Sequence, residues 1–563
     1  MAKSPPLTID EQPTTPGLSA GRHIPRAIGV YWPLLLALAV FASLLWSGIN
    51  ACRRQNDGHF IYPLDDAYIH MAIAKNLAQH GVWGVTRFAF GASSSSLLWS
   101  GVLGLIFKLP GSHDLVPLLL GAACGAAALS VVLWILRREE VPGLVVAVLL
   151  GGVVIGAPMV PLVISGMEAP GQILIDVLFL YAAARAAGGR VLSVRSTAAL
   201  LVLAALAVAI RYEGLFLVGT ACLVLAARGR WGLAFALGLA ALTPVVIFGA
   251  ISVRHGGFWL PNSVMLKGAR PSFGSWRDAA YSLGGRAVEG LIVARWVGGL
   301  AVAAMIVLLI AFSKRREVSG RARSSPAGPM LVISLGTAIL HMQFAALTWF
   351  SRYEGYLVVL LMLAIAVALG RDRLGLSGLA RIEAAKRIVA VAIAAAFCLY
   401  PVFANGIMAL GQVPAASHNV YEQQYQMARF LGRYYSDDTV VLNDIGAVCY
   451  FGDVRLIDTQ GLDGMEVARQ RLARTYRSAL AADIARRQDA RVAVVYQRFL
   501  QEMGGVPEDW TPVGTWGIGD NLICGDAFVT FYALRPDEIP ALRANLLEFN
   551  RALPIGVSRH VSR

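Results

Sequence analysis

The chain has 563 residues, of which 56% are hydrophobic and only 15% charged, with a mean hydropathy of +0.60 and a formal net charge of +14. Apolar length on this scale exceeds what one water-soluble core can bury, which excludes an ordinary soluble domain and makes lipid the main solvent of the chain. Much of the positive charge sits in short connections between apolar runs, where retention by anionic lipid accounts for it, and no basic surface interleaved with aromatics points to nucleic acid.

Residues 1–29 form a tail rich in Pro, Ser and Thr that carries Arg22 and Arg26 and reads as a disordered cytoplasmic segment. Val30–Asn50 is the first apolar stretch long enough to span. No small-residue cleavage pattern follows it, so it is expected to be a retained signal-anchor that starts in the cytoplasm. Further apolar stretches lie near 115–136, 143–163, 170–187, 196–210, 213–227, 232–252, 289–312, 330–350, 355–370 and 387–409.

Arg and Lys mark every second connection: Arg137 and Arg138; Arg185, Arg190 and Arg195; Arg228 and Arg230; Lys314, Arg315, Arg316, Arg321 and Arg323; Arg371, Arg373, Arg381, Lys386 and Arg387. These connections are expected inside and the others outside. The alternation predicts eleven spans in a membrane domain over 30–409, with outer loops 51–114 and 253–288. Residues 96–110, SLLWSGVLGLIFKLP, do not fit as a simple crossing and either re-enter, lie flat or replace another span, for a total of roughly 11–13.

The first outer loop holds the segment FIYPLDDAYIHMAIAKNLAQHG, residues 60–81, which sets Asp65 and Asp66 just beyond the first span and ahead of a helix too polar to cross. One aspartate is expected to N-cap the helix that starts near Ala67. The other then serves as general base toward an acceptor hydroxyl. His70 and Lys75 lie on the same amphipathic segment, whose apolar side is Ile69, Ala72, Ile73 and Leu77, a pattern suited to lying along the interface. A lone His is more often hydrogen-bonded structure than catalyst, so His70 is a secondary candidate.

Glu168, in ISGMEAPG, falls in another outward turn, and the tetrapeptide RYEG occurs twice at outward ends of spans, as Arg211–Gly214 and Arg352–Gly355. Glu168, Glu213, Glu354, Arg211 and Arg352 therefore approach one face of the membrane near Asp65 and Asp66. Each Arg–Glu pair either locks helix ends or offers a forked donor set to phosphate oxygens. The loop 253–288 adds His255, Trp259, Pro261, Asn262 and Lys267. Lys267 suits a lipid phosphate or snorkels at the interface. Trp259 stacks on a sugar or anchors the loop. His341 and Gln343 precede the second RYEG.

Residues 410–563 change character, with charged helical segments around 420–435 and 463–488 and strand-like runs at 439–444, 455–458, 491–496 and 527–534. The alternation predicts a small outer α/β domain. Gly446, Gly461 and Gly464 stand near strand ends, where close backbone approach needs glycine. No GxGxxG or GxxxxGK favours a nucleotide site. Cys449 and Cys524 share this domain, where an oxidising compartment would permit a disulfide. Neither CxxC nor HExxH occurs, so no metal site is predicted, although a divalent cation assisting phosphate binding stays open.

Several of these segments together resemble a known group. PLDDAYIHMAIAKNLAQHG, SSSSLLW at 93–99, SGMEAP at 165–170, RYEGL at 211–215, FWLPNSVMLKG at 258–268 and GAVCYFGDVRLIDTQGLDG at 446–464 are similar, in order, to bacterial polyprenyl-phosphate-sugar-dependent glycosyltransferases of GT-C fold. The nearest likeness is to the mycobacterial terminal β-(1→2)-arabinofuranosyltransferase family. The resemblance implies a polytopic α-helical membrane protein (GT-C type) with a C-terminal periplasmic α/β domain. It also implies a polyprenyl-phosphate sugar donor, an envelope glycan or glycolipid acceptor, and catalysis on the periplasmic face of the bacterial inner membrane. By that likeness Asp65 or Asp66 activates the acceptor, while Glu168, Arg211, Lys267 and Arg352 serve the donor site. The rival class is a transporter or flippase of a lipid-linked sugar, whose helical bundle would also carry polar residues.

Overall fold

The computed structural model describes residues 26–268, 274–314, 325–347, 349–370 and 381–562. Most of the tail 1–29 and the basic residues Arg315, Arg316, Arg321, Arg323, Arg371 and Arg373 lie outside the described residues. The chain begins with α1 (Arg26–Gln55), α2 (Asp65–His80), α3 (Leu97–Ile106), α4 (Val116–Arg138), α5 (Gly143–Gly151), α6 (Met159–Ile164), α7 (Ala169–Ala187), α8 (Val194–Ile210), α9 (Gly214–Ala227) and α10 (Trp231–Arg254). There follow α11 (Asn262–Lys267), α12 (Trp276–Ala280), α13 (Arg286–Val293), α14 (Arg295–Lys314), α15 (Ala327–Phe344), α16 (Gly355–Leu369) and α17 (Arg381–Glu422).

Among the described residues, seven helices are long and apolar enough to cross a membrane, namely α1, α4, α7, α10, α14, α15 and the run that includes α17. Shorter apolar helices occupy the remaining expected stretches: α5 with the π-turn that follows it, α8, α9 and α16. Their shortness is tolerated because protein surrounds them. In α16 the apolar side chains from Tyr356 to Leu361 are all buried, so neighbouring helices do the work that lipid does for an isolated span. The protein is thus a multi-pass membrane protein. The awkward segment 96–110 forms α3, whose ten residues extend only about 15 Å against a hydrocarbon core of about 30 Å. It packs on α2 and α8 rather than crossing.

The last third of the chain is built from α18 (Gln424–Tyr434), β1 (Thr439–Leu442), α19 (Gly446–Phe451), β2 (Arg455–Asp458), α20 (Met465–Leu472), α21 (Ser478–Arg487), β3 (Val492–Val495), α22 (Gln497–Glu502), β4 (Thr511–Gly517), β5 (Phe528–Ala533), α23 (Glu538–Phe549) and β6 (Ser558–Val561). The strand order is β2-β1-β3-β5-β4-β6. β1 runs parallel to β2 and β3, and the other three strands are antiparallel to their neighbours. The fully buried runs TVVL in β1 and VAVV in β3 are what a strand covered on both faces requires. An aromatic cluster of Phe430, Trp516, Phe531 and Phe549, with ring centroids 4.4–5.6 Å apart, fills one side of the sheet.

Sequence reading found β1, β2, β3 and β5 but not β4, β6 or α23. TPVGTWG has two glycines and a proline, and its register shifts between Pro512 and Gly514, so β4 lacks the composition that marks a strand. SRHV in β6 is a polar edge strand. The single helical segment expected over 463–488 is two helices, broken at 473–477 where Arg474 has φ +60°. All six cysteines are free, so Cys449 and Cys524 do not pair.

Candidate active site

The turns that connect helices on one face of the membrane part meet the C-terminal domain there, and α2 lies between them. α2 begins at Asp65 itself, with Leu64 as its N-cap and no side-chain capping bond. The capping expectation therefore fails in its local form. The Asp65 carboxylate instead accepts hydrogen bonds from the Gly446 and Ala447 amides, at 2.7 and 2.8 Å, across more than 380 residues of chain. It thus caps α19. At the other end of α19, Lys75 Nζ donates to the Tyr450 carbonyl at 2.8 Å. α2 and α19 run parallel, so that Asp65 oxygens meet the free amides at the N-terminus of α19 and the Lys75 ammonium meets the carbonyls at its C-terminus. A Cβ on Gly446 would stand 2.0 Å from the Asp65 carbonyl oxygen, so only glycine fits this approach.

Asp66, one residue on, has different company. Its Oδ1 lies 3.1 Å from Lys267 Nζ and its Oδ2 2.7 Å from an Arg352 nitrogen. The Asp66 side chain is 27% exposed and Lys267 is exposed beside it, whereas Arg352 is buried, so the carboxylate opens to solvent on its Lys267 side. Burial alone would raise the Asp66 carboxyl, but the Arg352 and Lys267 charges outweigh it and hold Asp66 well below the ordinary carboxylate range. Asp65 is the reverse: burial, then the charge of Asp444, push it up to about 7 against its two amide bonds.

Behind this pair lies a buried ionic chain. Arg211 donates to Glu168 at 2.5 Å and, through two nitrogens, to Glu213 at 2.7 and 3.2 Å. Arg211 is 3% exposed and already forks onto two carboxylates, so it stands as structure rather than as an open phosphate donor. Glu168 also faces His70 Nε2 at 3.5 Å. His70 Nδ1 meets Ser100 Oγ at 2.8 Å and Ser94 Oγ at 3.4 Å. Burial depresses the His70 imidazole, so it is neutral. The turn that presents Glu168 depends on Gly166, at φ +70° with the Tyr62 ring 2.6 Å from where a Cβ would stand. The serine run 93–96 is absorbed into this framework: Ser96 caps α3, Ser94 bonds Ser100, and Ser93 donates to Asp463 at 3.3 Å.

The remaining candidates fall outside the open charged cluster. Asn262, fully buried, donates to the Gly461 carbonyl at 3.1 Å and ties its loop to the C-terminal domain. His255 stacks on Phe90 at 4.5 Å beside an apolar groove of about 670 Å³ lined also by Trp83, Pro244, Phe248 and Ile251. Trp259 is 57% exposed and packs on Gly249. His341 is buried, its Nδ1 3.1 Å from the Tyr356 hydroxyl. Glu354 is buried in the second RYEG turn. Sequence reasoning missed Asp444, which accepts from Gln424 and from the Tyr496 hydroxyl and bears on Asp65, and Asp463, which burial and the Asp458 charge push up to about 7. Both stand in segments that look like strand ends and turns, and only the long-range fold brings Asp444 to Asp65 on α2 and Asp463 to Ser93 ahead of α3. Among the described residues no group of three or more His, Cys, Asp and Glu side chains is arranged to hold a metal ion. The carboxylates nearest the opening are engaged by amides or by Lys267 and Arg352.

Residues 418–532 match a domain of unknown function, DUF8728. No curated protein matches the chain in sequence. In fold, the chain is similar to ArnT from Cupriavidus metallidurans in its crystal structure bound to undecaprenyl phosphate, with a TM-score of 0.50 and 14% identity over 91% of this chain and 99% of that one. The apo crystal structure of the same ArnT gives 0.50 and 15% over the same shares. The archaeal oligosaccharyltransferase AglB from Archaeoglobus fulgidus, in complex with an inhibitory peptide and a dolichol-phosphate, is similar at a TM-score of 0.45 and 12% identity over 95% of this chain and 77% of that one. The ArnT likeness embraces nearly the whole of both chains, and the expected architecture holds: a GT-C type bundle of membrane helices with a C-terminal α/β domain.

Proposed function

We propose that this protein is an inverting glycosyltransferase that moves a sugar from a polyprenyl monophosphate to a hydroxyl of a cell-envelope glycan or glycolipid. The observation that carries the reading is the Asp66 carboxylate held between Lys267 and Arg352 at an open helix end. In the absence of donor, the carboxylate stands in for phosphate oxygens. An arriving lipid phosphate competes for the same two cations, and as they turn to it Asp66 loses the charges that keep it a weak base. Its basicity therefore rises when the donor is seated.

The acceptor hydroxyl then gives its proton to Asp66 while its oxygen bonds to the anomeric carbon from the face opposite the phosphate. The bond from that carbon to the phosphate oxygen breaks with its electron pair, and Lys267 and Arg352 offset the charge that leaves with the phosphate. One displacement inverts the anomeric centre. A divalent cation is not required by this scheme, since two fixed cations already face the leaving group. The sequence resemblance directs the first donor to try, a polyprenyl-phosphate arabinofuranose. The binding of undecaprenyl phosphate by the ArnT of similar fold agrees with a lipid-phosphate donor.

The reading assigns the protein to the bacterial inner membrane, with residues 1–29 as a cytoplasmic tail, 30–409 as the catalytic membrane domain and 410–563 as a periplasmic domain. Labelling whole cells with an impermeant maleimide checks the orientation: Glu508→Cys should react and Arg190→Cys should not. The activity is tested with the purified full-length chain, a panel of polyprenyl-phosphate sugars and envelope acceptors. Transfer by the wild type, and a loss of roughly 10²–10⁴-fold in kcat for Asp66→Asn in a chain that still folds, is the expected result. No transfer with any pair, together with movement of an intact lipid-linked sugar across proteoliposomes, would establish the transporter instead.

A further inference from the structure

The C-terminal domain carries a cleft of about 380 Å³ that the scheme above does not use, and its walls include Gln460, Arg471, Arg474, Tyr476, Phe499 and Glu502. That volume lies within the span of about 300–1,000 Å³ common to small-ligand sites. One wall is the break between α20 and α21. Arg474 stands there at φ +60°, one residue past the Ala473 cap of α20, in the left-handed conformation that glycine adopts without strain. A long side chain is therefore kept where the backbone alone would favour none. It is exposed, lines the cleft, and makes no hydrogen bond or ion pair among the described residues.

The other walls offer both kinds of hydrogen-bonding group. Arg471 Nη1 donates to the Gln460 carbonyl at 2.9 Å and to the Gln460 side-chain oxygen, which leaves the Gln460 amide nitrogen to donate. Glu502, which is exposed, accepts from Arg498 through Oε1 at 3.0 Å and keeps Oε2 as an acceptor. Phe499 is half-buried and Tyr476 buried, so the cleft also has an aromatic lining. Such a set matches a ligand that carries hydroxyls on an apolar ring frame: each hydroxyl both donates and accepts, and the C–H groups of the ring pack on Phe499. A compact anion would be opposed by Glu502, and an apolar chain would leave Arg474 and Glu502 without partners.

The cleft is also tied to the loop that carries Lys267. Gln460 precedes Gly461, whose carbonyl accepts from Asn262 at the first residue of α11, and α11 ends at Lys267 beside Asp66. Arg469, on α20, donates to the Gly256 carbonyl of the same loop at 2.8 Å. α11 is about 9 Å long, with the Gln460 wall beyond one end and Asp66 at the other, so a ligand that reaches both is a chain of sugars rather than a single one.

We propose that this cleft is a glycan subsite, which binds sugar residues of an extended acceptor several units away from the hydroxyl that reacts at Asp66. The inference rests on the glycosyl-transfer reading and adds to it a preference for long acceptors over short ones. Binding there is the same before and during the reaction, so its loss should act on KM rather than on kcat.

The test titrates the full-length protein in detergent micelles, without donor, with methyl glycosides of linear hexasaccharides of arabinofuranose, mannose and glucose. At least one should bind the wild type, and Arg474→Gly, which suits the backbone at φ +60°, should bind it about tenfold more weakly with the same thermal unfolding. Phe499→Ala should weaken it by a similar factor. In transfer assays, the ratio of kcat/KM for the hexasaccharide to that for the matching methyl monosaccharide should fall about tenfold in Arg474→Gly, with the change in KM. Binding of none of the three, or equal affinity in wild type and both variants, would overturn the subsite even if transfer is observed. Displacement of the hexasaccharide by inorganic phosphate would make the cleft an anion site and overturn the saccharide assignment. Glycan binding that the two variants weaken, in a protein that transfers no sugar, would uphold the cleft as a glycan site and remove the transferase reading instead.

Discussion

Asp65 and Asp66 are neighbours in sequence, yet their carboxylates leave α2 toward different partners. Asp65 meets two amides of α19 and the charge of Asp444, whereas Asp66 meets two cations and solvent. The pair is legible in the sequence as two carboxylates at a helix start; the division between them is not, because the deciding partners lie about 200 to 380 residues away. The same holds for Arg211, which the repeated RYEG makes look like a second Arg352 until Glu168 is found already on it. The division predicts different outcomes for the two asparagine variants. Asp66→Asn should abolish nearly all turnover, and it should also lower thermal stability because Lys267 and buried Arg352 lose their counter-charge. Asp65→Asn keeps a side-chain oxygen that can accept one of the two amides, so it should lower thermal stability by about 1–2 kcal/mol and reduce turnover far less. Paired kinetic and thermal-unfolding measurements on both variants check this, and equal loss of turnover in the two would assign the base wrongly.

At the scale of elements, α19 shows why a six-residue helix with only short local support can be a fixed part of a site. It is held at its two ends by hydrogen bonds from α2, to Asp65 and from Lys75, and packs along that helix through Tyr450 and Phe451 against Tyr68. The glycine at its first position is dictated by contact, since a methyl there meets the Asp65 backbone. Gly446→Ala should therefore push α19 off α2, raising amide exchange through 446–451 and lowering turnover even though no catalytic group is removed; unchanged exchange would show that the approach can yield. The sequence marked Gly446 as a site of close approach, and alternation revealed the central strands. What it did not reveal were elements whose pattern is overridden by position: the polar edge strand β6, the glycine-bearing β4, and α3, whose apolar length imitates part of a span.

For the whole molecule, the seam between the C-terminal domain and the loop 60–100 is built on carboxylates that prefer to be neutral. Burial, then neighbouring acids, raise Asp65 and Asp463 from the ordinary 3.8 to about 7. Between about pH 4 and 7 the folded seam holds protons that the unfolded chain has released, so its contribution to stability is complete below about 4 and is lost as pH rises through about 7. Asp444 and Asp458, also raised, act in the same direction. Asp66, held down by its cations, acts in the opposite direction but only at more acid pH, and neutral His70 opposes the trend modestly below about 6.5. Hydrogen exchange at 446–451 and 461–464 should therefore quicken from pH 5 to pH 8 beyond the intrinsic base dependence, and Asp444→Asn should flatten that rise. A profile that follows only the intrinsic rate would remove the carboxylates from the seam.

α17 carries a further consequence. Its 42 residues, with Pro401 and Pro414 inside, follow a helical path of about 63 Å, roughly twice the hydrocarbon thickness, that leads into the sheet-bearing domain without a linker. Such a continuous helix is no slack tether. When a thinner bilayer makes it lean, the far end should move with it, and α18, packed on both α17 and α19, should pass the movement to the α2–α19 contact beside Asp65 and Asp66. Bilayer thickness then becomes an input to the chemistry, and the turnover of one and the same protein should depend on the acyl length of the nanodisc that holds it.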